Sequence, residues 1–75
     1  MNPSPYWIFV EDSQKNLKEN ERQLQAFRGL LRKYRHNREI TRNCKEAINH
    51  LIDLINQDKR SIEEYTKKAK EDNQP

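Results

Sequence analysis

The chain carries almost nothing that could break a helix or staple a fold. Its 75 residues include one glycine, one cysteine and three prolines, two of which precede residue 6. A single cysteine, Cys44, leaves no disulfide within one molecule and fits a reducing, cytoplasmic setting. A single glycine, Gly29, leaves no glycine-rich phosphate loop. Apolar residues are also few, at 32% against 36% charged, with a mean hydropathy of -1.35. One small core is therefore all that can form, and chains of this size often gain stability by association.

The apolar run Tyr6–Val10 is too short for the centre of a signal peptide. Nothing approaches the roughly 18 apolar residues needed to cross a bilayer, so no membrane span is expected. The only soft metal ligands are His36, Cys44 and His50, spaced by eight and six. Those spacings put no two of them on adjacent turns of one helix face, so neither metal nor cofactor is expected. A chain this small also offers little cleft in which to shift a carboxylate or exclude water, and no enzyme activity is expected.

What the sequence does have is two ladders of apolar residues, each stepping by seven. Val10, Leu17, Leu24 and Leu31 form one rail, with Phe27 and Tyr34 offset by three. Ile48, Ile55, Ile62 and Ala69 form another, with Cys44, Leu51 and Tyr65 offset likewise. A repeat of this kind keeps one stripe of a helix facing a partner helix. The two ladders predict an all-α fold: an antiparallel, coiled-coil-like two-helix hairpin that dimerises into a four-helix bundle. The expected boundaries are an irregular aromatic segment over 1–11, a first helix over about 12–36 capped by Asp12 or Ser13, a turn over about 37–42, a second helix over about 43–70 and a frayed tail over 71–75. Asn37 reads as a left-handed helix terminator, and Asn43 with Glu46 as a capping box. Ser61 with Glu64 is a second capping-box match, but the ladder holds its phase across it.

A single long rod is the competing architecture. It would have to move its seam near residue 40, because the Leu31 rail continues onto Arg38 and Lys45. A hairpin removes that conflict and admits two registers. One sets Phe27 against Ile48 and Leu24 against Leu51, with the turn between His36 and Arg38. The other sets Leu31 against Leu51 and Phe27 against Ile55, with the turn on Thr41. Asn20 and Asp58 take core-type positions in both.

The second helix holds more apolar surface than one partner can cover. Ile40, Ala47, Ile52 and Leu54 are the expected self-association surface, the alternative being that Tyr6–Val10 folds back over it. Tyr6, Trp7, Ile8 and Phe9 are also residue types enriched at interface hot spots, and form a candidate docking segment.

Charge is the one uneven feature. Residues 28–45 hold Arg28, Arg32, Lys33, Arg35, Arg38, Arg42 and Lys45 against Glu39 alone, a local balance of +6 in a chain of net +3. A hairpin gathers this excess at its turn end, where it attracts acidic or phosphate-bearing partners. It also suits the dipole at the end of the first helix. The expected function is a non-catalytic adaptor or regulatory module, a homodimer whose basic end contacts an acidic protein partner. An RNA- or DNA-binding regulator using the same cations is the rival, and a small subunit or assembly factor of a larger complex the third reading.

Ala26-Phe27-Arg28-Gly29-Leu30-Leu31-Arg32 resembles the opening signature of the mitochondrial LYR-motif assembly factors, with alanine and phenylalanine where that family has leucine and tyrosine. The resemblance covers one or two helical turns, and the chain lacks that family's three-helix length, so no function is carried over. The expected architecture is similar in shape alone to the small RNA-binding hairpin dimers of plasmid copy control.

Overall fold

The structure, a computed structural model, describes residues 4–72. Two helices, α1 (Tyr6–Lys33) and α2 (Arg38–Asp72), pack side by side and form a rod whose Cα atoms span 60 × 14 × 11 Å. There is no strand among the described residues.

α1 starts at Tyr6, inside the segment expected to be irregular and well before Asp12 or Ser13. Ser4 and Pro5 explain the early start. Pro5 already has a helical φ of -62°, and its missing N–H would have gone unpaired in a first turn anyway. Ser4 Oγ accepts the Tyr6 N–H at 3.2 Å, and the Ser4 and Pro5 carbonyls accept those of Trp7 and Ile8 at 3.2 and 3.1 Å. The helix then runs to Lys33 without a break. An added Cβ on Gly29 would meet nothing within 4 Å, so no close packing demands the glycine.

The turn is shorter and earlier than the expected 37–42, running from Tyr34 to Asn37. Tyr34 leaves the helix at φ -110°, ψ 30°, while its N–H still reaches the Leu30 carbonyl at 2.9 Å. The Tyr34 carbonyl then accepts the Asn37 N–H at 2.9 Å and the Thr41 hydroxyl at 3.2 Å. Asn37 is not a left-handed terminator, since no described residue has a positive φ. Its side chain instead caps α2. Asn37 Oδ1 accepts the Ile40 N–H at 3.0 Å, and its carbonyl accepts the Thr41 N–H at 2.9 Å. α2 thus begins at Arg38 rather than near 43, and both capping-box matches lie inside it.

The turn lies nearer the centre of the first register than the Thr41 of the second. Leu24, Leu51 and Ile55 form the centre of the core, with Leu17, Phe27, Ile48 and Leu54 packed around them. Val10, Cys44 and Ala69 are buried as well. Asn20 and Asp58 sit half-buried in this seam and satisfy each other, Asn20 Nδ2 donating to Asp58 Oδ2 at 2.7 Å. A polar group taken out of water is costly unless it finds such a partner. The pair divides the seam into a turn half built on leucine and isoleucine and an outer half closed by aromatic rings.

Candidate interaction surfaces

The seam gives the hairpin two broad faces, because the residues just before and just after it fall on opposite flanks of each helix. In an antiparallel pair, the two leading flanks share one face and the two trailing flanks share the other.

The first face carries Phe9 and Leu30 from α1, and Ile40, Ala47, Leu54 and Ser61 from α2. Asn16 and Gln23 complete the α1 row, and Lys68 ends the α2 row as its one charge. Contacts at the open end confirm the pairing of flanks. Phe9 lies 5.3 Å from the Tyr65 ring, Tyr6 stacks on Tyr65 at 6.2 Å and 20°, and Lys68 Nζ sits 5.8 Å from the Tyr6 centroid.

The second face is charged. Glu21 and Arg28 stand on α1 and Arg38, Lys45 and Lys59 on α2, with Ile52 among them. Glu21 and Lys59 line one shallow depression together with Leu24 and Ile55, which places these flanks side by side.

The seven cations expected at the basic end do gather there. Arg28, Arg32 and Lys33 occupy the last turns of α1, Arg35 the turn itself, and Arg38, Arg42 and Lys45 the first turns of α2; all seven are exposed. Among the described residues the ion pairs within 4.0 Å are Arg22 with Glu19 and Lys68 with Glu64, so none of the seven meets a carboxylate. Their local contacts are weak: Arg35 Nε donates to His36 Nε2 at 3.3 Å, and Lys33 Nζ lies 5.4 Å from the Tyr34 ring centroid. Guanidinium forks left open in this way suit carboxylate or phosphate oxygens.

The expected self-association residues do not form one strip. Ile52 and Leu54 differ by two positions, about 200° around a helix with 3.6 residues per turn. Leu54 is half-buried against the core on the uncharged face, in line with Ile40 and Ala47, whereas Ile52 is exposed on the charged face. The candidate docking segment also divides. Tyr6 and Phe9 are used against Tyr65, Trp7 is half-buried, and Ile8 stands 68% exposed and free for other contacts.

Ser4, Asn37 and Thr41, which end or join the helices, were not singled out by the ladders. The signals were nonetheless local: a serine before a proline, and an asparagine three residues before the first apolar residue of α2.

These features define the class as a two-helix antiparallel hairpin with one charged and one uncharged face. No helix is long and apolar enough to cross a membrane among the described residues. No protein-family model, curated protein or solved structure matches the chain.

Proposed function

We propose that the chain is a small non-catalytic interaction module, a helical hairpin that self-associates and offers its basic turn end to an acidic protein surface. One observation carries this reading: seven exposed cations crowd the turn end, and among the described residues no carboxylate lies within 4.0 Å of any of them. Holding like charges together is unfavourable unless a partner of opposite sign is met. Cytoplasmic residence accords with the buried thiol of Cys44.

The size of the patch favours protein over nucleic acid. The basic residues are confined to one end of the rod, and both stretches beyond them carry net negative charge. A duplex, with one charge per roughly 1.7 Å of axis, would find few phosphate contacts there and repulsion beyond.

Fluorescence anisotropy with a labelled glutamate-rich peptide, a single-stranded RNA and a DNA duplex, each over a range of salt, tests the reading. The peptide should bind more tightly than either nucleic acid and weaken as salt rises. Arg28→Glu with Arg32→Glu should abolish its binding while leaving helicity unchanged. Tighter binding of RNA or DNA would replace this reading with the nucleic-acid one, and no binding of any probe at low salt would remove both.

A further inference from the structure

We propose that the uncharged face is where a second copy docks, the two hairpins lying face to face and antiparallel about a central two-fold axis. This rests on the self-association reading above and names its surface and geometry.

The first argument is the face itself. In a chain that is 36% charged, the row from Phe9 to Leu30 and the row from Ile40 to Ser61 hold no charge at all. Phe9 is 49% and Leu30 41% exposed, more than the hairpin's own seam can cover. The opposite face carries the cations and would resist close approach of its own copy. The charge-free row from Phe9 to Leu30 runs for about 32 Å along α1, at 1.5 Å per residue.

The second argument is the symmetry of the α1 row. An isologous contact requires that residue i meet residue j of the copy while j meets i. The midpoint of α1 lies between Glu19 and Asn20. Turning the row about that point sets Phe9 against Leu30 of the copy and Asn16 against Gln23. Apolar meets apolar at both ends, and amide meets amide in the middle. On α2 the corresponding centre falls near Leu54, which then packs beside its own copy.

Charge complementarity chooses antiparallel over parallel. A parallel pair would place two clusters of seven cations together. The antiparallel pair instead lays each basic end, at +6, alongside the other hairpin's residues 4–27 and 46–72, which balance at -1 and -2. It also leaves one basic patch at each end of the assembly, so that a dimer could hold two acidic partners at once.

Sedimentation equilibrium and distance measurement test the proposal. The unsubstituted chain should sediment as a dimer. Leu30→Glu, at an exposed position, should give a folded monomer, while Ile52→Glu on the charged face should leave the dimer intact. Spin labels at His36→Cys in a Cys44→Ala background should lie most of the 60 Å rod length apart in the dimer. A dimer unaffected by Leu30→Glu, or one broken by Ile52→Glu instead, would overturn the choice of face. Labels within about 20 Å would overturn the antiparallel arrangement, a separation set by side-by-side helices at 8–10 Å axis spacing. A monomeric unsubstituted chain would remove self-association altogether, while the peptide assay would still report on the basic end.

Discussion

The two ends of the hairpin are closed by different means. At the turn end the chain is covalently continuous, and three groups finish the work: the Tyr34 carbonyl, the Asn37 amide and the Thr41 hydroxyl. None of these needs apolar surface. At the open end no bond joins α1 to α2, and Tyr6, Phe9 and Tyr65 close the gap by ring contacts, with Lys68 above two of the rings. The difference explains the distribution of charge. A covalent turn frees nearby side chains from packing, so the turn end can be built from cations. The open end has no such freedom.

This comparison can be broken from the middle outward. Leu51 is 4% exposed and packs with Leu24 and Ile55 at the centre of the core. Leu51→Ala should cost about 2–5 kcal/mol, enough to unfold a domain this small, and should abolish the cooperative thermal transition by circular dichroism. A transition lowered by only a few degrees would mean that the centre of the seam is not the main source of stability.

Tyr65→Ala should cost about 1–3 kcal/mol by removing a half-buried ring and two aromatic contacts. Amide hydrogen exchange should show faster opening in residues 6–13 and 62–70 and little change near the turn. Uniform acceleration along both helices would mean that the open end does not act as a separate closure.

Asn37→Ala should cost about 0.5–2 kcal/mol, the usual loss for a cap. Exchange should quicken at the Ile40 amide, whose acceptor is removed, while the open end stays protected. An unchanged melting temperature would show that the covalent turn suffices without its cap.

The smallest effect lies on the exposed surface of α1. Hydrogen bonds from Arg22 and then Gln23 hold the Glu19 carboxyl at about 2, below its ordinary 4.5. A group whose folded pKa is lowered stabilises the fold above its unfolded pKa and ceases to as pH falls through the folded value. The contribution of Glu19 should therefore be complete above 4.5 and disappear between 4.5 and about 2. Solvent screening keeps it slight, so the direct check is a carboxyl NMR titration. Glu19 titrating near 4.5 would show that the pair with Arg22 does not persist in solution.

Most of the hairpin was legible in the ladders. Residues that recur every seven positions mark the seam because only one stripe of each helix can face the other, and Leu24, Leu51 and Ile55 follow directly. The boundaries were harder to read because they depend on single hydrogen bonds rather than on a repeat. Asp12 and Ser13 are good cap types, yet Ser4 and Pro5 act first and the helix simply passes through both. Asn37 suits a terminator or a cap equally well, and the backbone angle decides between them.

The basic cluster could be counted from the sequence, but its exposure and the absence of paired carboxylates could not. The same holds for the apolar flank. Ile52 and Leu54 look like neighbours along the chain and stand on opposite faces once the seam fixes the rotation of α2.

By its own pattern of apolar spacing and charge, the sequence determined an all-helical chain, two stripes and a basic middle. Those properties are local, set by side-chain type and helical period. Only the tertiary structure decided the register, the partnering of Asn20 with Asp58 and the division into a charged and an uncharged face. These depend on how two helices meet, and a flank acquires a side only when something packs against the stripe beside it.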